Sequence, residues 1–438
     1  MLIKIKQAIL VIGDIIFLYA SLFLMILVRY GNISKFLFDA HFVPFSIVFI
    51  LWVAVFYIAG LYDLRAVKNR VDMIQQLLAA TIASLIVSII AFYSIPAFNI
   101  APKRNLVIFS AIFFVFAYGW RELFGLWSKI PQKRVLTVGG GKEENSMNEY
   151  LFENPQLGYK IAFQMSDVHQ SNDEYFLKII EDYKIDTIII GPQAEHSQEI
   201  LESVYKNLDK GIEVMDFTSA YELFYKKVPL SAIHYLWVST NVSKSQRIYE
   251  TIKRPFEILL SLILIIILSP FILFAAIGIK LNSKGPVFYT QPRIGKKQKI
   301  FTIYKFRTMI NNADHNGPDW TENHDPRITG FGRILRFTHF DEAPQLFNVL
   351  RGDMSFVGPR PESVPLVESF RKKIPYYDVR HIIKPGISGW AQINYKPSAS
   401  IEEAYEKFQY DLYYIKERSL TLDVLIILKT LKMFLYNN

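Results

Sequence analysis

The residues in this sequence best suited to bond-making are two adjacent carboxylates, Asp341 and Glu342, in the stretch FDEAPQLFNVLRGDMSFVGPRPE from Phe340 to Glu362. Aspartate followed three residues later by proline reads as a helix start. Asp341 is expected to cap DEAPQLFNVL, with Pro344 in the first turn, where a missing N–H costs little. Free N–H groups there would hold the carboxylate ionised and welcome a phosphate beside it. Neighbouring helical residues diverge by about 100°, so the two acids cannot face each other across a bond as a glycosidase pair does. Each must have its own task. Nearby stretches add Arg293, Lys305, Arg307, Arg333 and Arg336 upstream, and Arg351 and Arg360 downstream. A carboxylate nucleophile among so many cations suits a polyanionic electrophile such as a diphosphate. On these residues alone, a helix cap on a basic surface is the favoured reading.

What must position these groups follows from composition. The 438 residues are 51% hydrophobic with a positive mean hydropathy, too apolar for a wholly soluble chain, so a membrane protein of two or three domains is expected. The sequence has no cysteine, which excludes disulfides, thiolate zinc sites and a cysteine nucleophile. A formal charge of +9 suits anionic lipid and phosphorylated substrates. Without a zinc-finger, helix-turn-helix or RNP pattern, nucleic acid is not an expected partner.

Four apolar stretches, about Ile5 to Val28, Phe42 to Leu61, Ile74 to Ile95 and Leu106 to Phe124, are each long enough to cross a hydrocarbon core. The first is too long for a signal peptide. Lys4, Lys6, Arg65, Lys68, Arg70, Arg121, Lys129, Lys133 and Arg134 on one set of flanks outnumber Arg29, Lys35, Lys103 and Arg104 on the other, which places both ends inside. Asp14, an acid within the first span, is a functional candidate by default, or bonds a neighbouring helix. After Pro131, RVLTVGGG, YKIAFQMSD, IDTIIIG and GIEVMDF read as buried parallel strands, with helices near Asp173 to Tyr183 and Ser197 to Asp209, giving a Rossmann-like domain. Its loop holds Gly139, Gly140 and Gly141, but Glu144 replaces the third glycine of GxGxxG and would repel a pyrophosphate. Asp167 is the candidate ribose partner. A structural or regulatory role fits this loop better than a working dinucleotide site.

A further apolar run, Phe256 to Ile279, has Ser269-Pro270 near its middle and basic residues on both flanks, Lys253 and Arg254 before, Lys280 and Lys284 after. A helix broken at Ser-Pro that enters and leaves by one face satisfies both features. From Leu281 onward, short strands, helices and turns mix without repeat as an α+β region. Its loop NNADHNGPDWTENHDPR is a mobile cover candidate, and His315, His324, His339 and His381 have no metal-ligand spacing. The apolar tail with Lys429 and Lys432 is expected in the interface or against the broken helix.

The run GPVFY, QPRIG, IYKFRTM, FDEAPQLFNVLRGDMSFVGPRP, KPGISGWAQIN and YDLYYIK, in that order between about Ser243 and Lys432, closely resembles the bacterial phosphoglycosyl transferases of the monotopic type, the polyprenyl-phosphate sugar-1-phosphate transferases. The resemblance implies three parts: a four-helix transmembrane domain over 1–128, an inactive-looking Rossmann-like domain over 133–240, and an α+β transferase domain over 243–438 with a re-entrant helix at about 255–280. It implies a multi-pass protein of the bacterial cytoplasmic membrane, its catalytic part on the cytoplasmic face. A UDP-sugar and polyprenyl (undecaprenyl) phosphate are the expected substrates, membrane lipid the surroundings, and a second copy of the chain a further partner. Asp341 would attack the sugar-bearing phosphorus, expel nucleoside monophosphate and pass the phosphosugar to the lipid, in exopolysaccharide or other glycan assembly. Glu342 would hold Mg2+ or Mn2+. Position by position, Lys305, Arg307 and Arg336 look like phosphate or structural contacts, Arg360 like the active-site arginine, and Asp423 like a further acidic position. Lys396 stands where the family commonly has arginine, so bidentate phosphate recognition is lost there. The competing expectations are an inactive membrane scaffold, a nucleotide-sensing regulator or a transporter.

Overall fold

The computed structural model describes residues 2–32, 34–62, 70–94, 103–127, 132–166, 173–194, 197–207, 211–232, 235–242, 247–310, 325–395 and 400–436. The chain divides into two compact units, 1–217 and 218–438.

The first unit begins with four long apolar helices, α1 (Leu2–Tyr30), α2 (Lys35–Ile58), α3 (Arg70–Ser94) and α4 (Lys103–Trp127). Their inner faces interlock through Leu18, Leu22, Phe45, Trp52, Phe109 and Phe113. Ile16, Ile50, Ile90 and Val115 remain exposed on the outer faces, so these helices are apolar all round, as expected where lipid is the solvent. Asp14 bonds a neighbouring helix: both its oxygens accept from Arg121 of α4 at 2.9 Å, in a fully buried pair. Arg121 therefore belongs inside the bundle, and the expectation that it is an inner-flank charge is corrected. Removing either partner would strand the other charge in an apolar interior.

The same unit holds β1 (Lys133–Val138), α5 (Lys142–Glu153), β2 (Tyr159–Met165), α6 (Asp173–Asp182), β3 (Thr187–Ile190), α7 (Gln198–Tyr205) and β4 (Glu213–Asp216). The four strands form one parallel sheet in the order β2-β1-β3-β4. β3 is buried throughout and β1 over its last four residues, as expected of the inner strands of a parallel sheet. Asp167 lies outside the described residues.

The second unit opens with the end of α8 (Phe217–Tyr225) and α9 (Tyr235–Val242). From the sequence this segment was assigned to the Rossmann-like domain. In the structure it packs on the C-terminal α+β region instead: Val228 and Trp237 are buried in that core, Trp390 Nε1 donates to the Lys226 carbonyl at 2.8 Å, and Lys416 Nζ binds Glu222 at 2.7 Å. There follow α10 (Arg247–Asn282), the antiparallel hairpin β5 (Phe288–Ile294) and β6 (Ile300–Phe306), α11 (Gly330–Phe337), a 3-10 turn (Phe340–Glu342) and α12 (Gln345–Arg351). The chain closes with β7 (Ser355–Val357), α13 (Val364–Lys373), β8 (Gly386–Ser388), α14 (Trp390–Asn394), α15 (Ile401–Glu417) and α16 (Leu420–Tyr436). Strands β7 and β8 pair in parallel. The tail helix α16 packs on α14, β7 and β8, with Ile426 fully buried.

Helix α10 spans Arg247–Asn282 as one range with Pro270 inside it, so the Ser-Pro step is a point within the helix and not a gap between two helices. Pro270 has no N–H for the Ile266 carbonyl, and the Ser269 hydroxyl donates to that carbonyl at 2.7 Å instead. Along α10, Phe256, Leu259, Ile263, Ile266, Phe271 and Phe274 are exposed. With α1 to α4, it makes five helices among the described residues that are long and apolar enough to cross a membrane.

Candidate active site

Asp341 does not cap a helix. Helix α12 starts at Gln345 behind Pro344, and the two acids sit in the separate 3-10 turn before it. His339 enters that turn with φ of 52°. Phe340 then stacks on Phe306 of β6, ring centroids 6.1 Å apart, and packs with Ala343 against Ala275, Ile279 and Leu335. Burying Phe340 and Ala343 on one side turns Asp341 and Glu342 away from the core. The buried Asn348 fixes α12 to β6: its Nδ2 donates to Thr302 O at 2.7 Å, and its Oδ1 accepts from Tyr304 N at 3.1 Å.

The two carboxylates then have opposite surroundings. Glu342 Oε1 accepts from Lys305 Nζ at 2.7 Å and from Arg360 Nη2 at 2.9 Å. Burial would raise this carboxyl, but Arg360 and Lys305 outweigh it and hold the group well below the ordinary range. Asp341 has no hydrogen bond or ion pair among the described residues. Burial pushes its carboxyl up and the Glu342 charge adds to this, against Lys305, Arg336 and His339. One acid is a tethered anion. The other is an open carboxylate beside it.

Residues 248–437 match the profile of the family described as bacterial sugar transferase. Over 361 residues the chain is 30% identical to the UDP-glucose:undecaprenyl-phosphate glucose-1-phosphate transferase of Escherichia coli (strain K12), covering 78% of this chain and 74% of that one. The chain belongs to the bacterial sugar transferase family. It is also 47% identical over 188 residues to the UDP-N-acetylgalactosamine-undecaprenyl-phosphate N-acetylgalactosaminephosphotransferase of Aeromonas hydrophila, covering 43% of this chain and 44% of that relative's length. A further relative, the exopolysaccharide production protein PSS of Rhizobium leguminosarum bv. phaseoli, is 42% identical over 185 residues, 41% of this chain and 92% of that one.

In this bacterial sugar transferase the structure brings Lys305, Arg336 and Arg360 to the two acids and places other sequence candidates elsewhere. Arg336 Nε donates to Thr308 Oγ1 at 2.8 Å, and its charge acts on Asp341. Arg307 is buried and spends its guanidinium on Ser283 O at 2.9 Å, Ser283 Oγ at 2.8 Å and Lys284 O at 3.0 Å, closing the chain exit from α10. Asp423 accepts from Tyr249 OH at 2.7 Å and Tyr414 OH at 2.8 Å and pairs with Lys253 at 2.8 Å. Those bonds tie the first turn of α16 to the start of α10. Arg293 Nη1 donates to Pro361 O at 3.1 Å and so braces the turn that presents Arg360. Arg351 binds the Tyr304 hydroxyl at 3.2 Å, and Arg333 is exposed. Lys396, His315, His324 and most of the loop before Asp325 lie outside the described residues.

Sequence reasoning missed Arg380 and Asp411. Arg380 Nη2 donates to the Arg360 carbonyl at 3.0 Å and to Asp411 Oδ2 at 2.9 Å. Burial pushes Asp411 up to about 6 even against Arg380. The pair fixes the backbone from which Arg360 reaches Glu342. A charged residue in the largely apolar run YDLYYI was the available signal.

Glu342 is also the side chain at this site with an oxygen left for a metal ion. Oε1 holds both cations, and Oε2 takes no hydrogen bond among the described residues. No three His, Asp or Glu side chains among the described residues converge on one point. This donor set fits a hard cation held by one or two carboxylates, with water and diphosphate oxygens completing the shell.

Proposed function

We propose that this chain transfers a sugar-1-phosphate from a nucleoside diphosphate sugar, of the UDP-sugar class, to polyprenyl (undecaprenyl) phosphate, with Asp341 as the nucleophile. The observation that carries this reading is the unequal pair: Glu342 is held by Lys305 and Arg360, and Asp341 is left open. An Asp341 oxygen attacks the sugar-bearing phosphorus, the bond to the bridging oxygen breaks, and nucleoside monophosphate leaves. An oxygen of the lipid phosphate then attacks the same phosphorus, the acyl-phosphate bond breaks, and the Asp341 carboxylate returns. Lys305, Arg336 and Arg360 spread their charge over the phosphate oxygens, which phosphoryl transfer needs more than covalent help. Glu342, through Oε2, is the residue to hold Mg2+ or Mn2+. When bound, such an ion neutralises charge on the diphosphate. Because Asp341 must be ionised to attack, its raised pKa makes the first step fall off with acid sooner than an ordinary aspartate would. The names of the relatives support the lipid acceptor, and their different sugars leave the sugar to be assayed.

In the same reading α1 to α4 cross the bacterial cytoplasmic membrane, and α10 enters and leaves from the cytoplasmic side with Pro270 at its deepest region. The basic residues at both ends and the rescued Ile266 carbonyl support this. Because the chain has no cysteine, single cysteines placed at Glu250 and Ser283 report topology directly. Both should be shielded from an outside reagent in intact cells, and labelling of only one would mean a full crossing.

The decisive experiment mixes the protein with a panel of UDP-sugars and no lipid. The expected result is one UMP per active site and a protein mass increased by one phosphosugar. UMP appearing only with polyprenyl phosphate, and no adduct, would make transfer direct and Asp341 a base or metal ligand. No turnover with any donor would favour the scaffold.

A further inference from the structure

A second charged site lies at the other end of α12 from the acids. Arg254 of α10 donates to the Val349 and Leu350 carbonyls, at 2.6 and 2.8 Å, where α12 ends. Beside it opens a cavity of about 250 Å³ between the first turns of α10, the β5–β6 turn, β7 and the end of α15. Its walls carry Lys253, Arg254, Lys296, Lys384 and Arg418 against two carboxylates, Glu250 and Glu257.

The acids are already engaged. Glu257 accepts from the Ser355 hydroxyl and from Phe356 N and lies 3.9 Å from both Lys253 and Arg254, Glu250 lies 3.4 Å from Lys296, and Asp423 behind the wall pairs with Lys253 at 2.8 Å. Lys384 is half-buried and has no hydrogen bond or ion pair among the described residues. Its Nζ and Arg254 Nη2 lie 3.4 and 3.1 Å from the point where a side chain on Gly352 would begin. Arg418 is nearly fully buried, with Nε unpartnered. Five cations thus line the cavity against two acids, and Lys384 pairs with neither acid, an excess of positive charge that an anion would offset. Burial pushes the Lys384 ammonium down, and Arg254 and Lys296 add to this against Glu257 and Glu250.

The ligand class follows from where the cavity opens. One turn further along α10, Phe256, Leu259, Leu260 and Ile263 are exposed apolar residues, so an anion in the cavity lies at the edge of that apolar surface. We infer that this cavity binds the phosphate headgroup of an anionic membrane phospholipid, with its acyl chains along the exposed face of α10. The inference rests on α10 lying in the membrane as proposed above, and it concerns a site separate from Asp341. None of Lys305, Asp341, Glu342 or Arg360 lines it. A bound lipid would fix the height of α10, and thereby of the turn packed on it, relative to the membrane surface.

The test uses the full chain in nanodiscs of phosphatidylcholine with or without phosphatidylglycerol, followed by native mass spectrometry of retained lipid. Lys384→Gln should retain phosphatidylglycerol roughly tenfold less than wild type, the loss expected for one charge-assisted hydrogen bond. Lys384→Arg should keep it, and Lys372→Gln on exposed α13 should change nothing. Lys296→Gln at the rim should also weaken retention, which keeps the test valid if Lys384→Gln does not fold. Equal retention by wild type and both glutamine variants overturns the inference. Displacement of the lipid by inorganic phosphate at equal concentration also overturns it, in favour of a soluble anion. Failure of the wild type to float with vesicles of either composition overturns the membrane reading of α10 and this inference together. Flotation with equal retention overturns the pocket alone.

Discussion

In the parallel-sheet domain the carboxylate of Glu144 lies inside its own glycine loop, whereas in the transferase region the carboxylate of Asp341 lies beside a charged anchor, with no hydrogen-bond or ion-pair partner among the described residues. A side chain added at Gly141 would begin 2.2 Å from Glu144 Oε2, and one at Gly191 would begin 2.6 Å from Oε1. Gly139, with φ of +131°, takes a backbone shape that favours glycine. These glycines thus make room for a glutamate, in the cradle at the start of α5 where a dinucleotide would place its pyrophosphate. Glu144 is buried there. The difference teaches that a carboxylate near a phosphate-binding geometry can fill the geometry or serve it. What decides is whether neighbouring cations take up one acid and leave a second unpaired.

The largest expected effect breaks the open side of this comparison. Asp341→Asn should lose a thousandfold or more of turnover, ~4 kcal/mol of barrier, and form no adduct by intact mass. A variant with more than a few per cent of wild-type turnover would reassign the nucleophile. Next, Glu342→Gln removes the anchor. Turnover should fall about a hundredfold, with partial recovery at raised Mg2+ or Mn2+ that Asp341→Asn does not share. Because the Glu342 charge raises Asp341, the acid limb of its single-turnover pH profile should move to lower pH. A limb that stays in place would mean that the two acids do not interact.

Asp411→Asn sharpens the comparison one layer further out, by loosening the backbone under Arg360. A loss of several-fold is expected, mostly in KM for the nucleotide sugar, since Asp411 touches Arg380 and not the acids. Its linkage has a defined sign. The folded group titrates at about 6 against an ordinary 3.8, so the folded state holds more protons between those values and stability falls as pH rises through that window. Asp411→Asn should flatten that slope in denaturation midpoints measured across it. The smallest effect belongs to the stoppered loop. Glu144→Gln should change transfer by less than about twofold, and a fragment starting at Thr218 should keep transferring in detergent. A fragment starting near Asn241, which lacks the buried Val228 and Trp237, should be the less stable of the two by thermal melt. Loss of turnover in a folded fragment from Thr218 would give the parallel-sheet domain a part in the chemistry.

Much of this architecture was legible because it is local. A long apolar run or a buried strand announces itself by length and composition, so α1, α3, α4 and β1 to β4 fall within a few residues of expectation, whereas α2 begins at Lys35 and not at Phe42. The errors come where distant contacts override local signals. Asp341 with Pro344 resembles a helix start, but burial of Phe340 and the left-handed His339 split off a separate turn. Arg121 counted as a flank charge because its position near a span end was visible and Asp14, at a sequence separation of 107, was not. Residues 218–242 followed the sheet domain in sequence, yet Val228 and Trp237 belong to a core formed chiefly by residues well over a hundred positions further on.

By itself the sequence determined the apolar helices, the parallel sheet, the glycine loop spoiled by Glu144 and the ordered motifs that mark the transferase region. Each of these is set by the periodicity, length or spacing of residues close together in the chain. Only the tertiary structure decided which cations meet which acid. Lys305 and Arg360, 37 and 18 residues from Glu342, reach the same oxygen, while Arg307 and Asp423 are drawn off to brace α10. A charge acts through space, and its partner is chosen by how β6, α12 and the turn around Arg360 pack. That packing leaves Asp341 open.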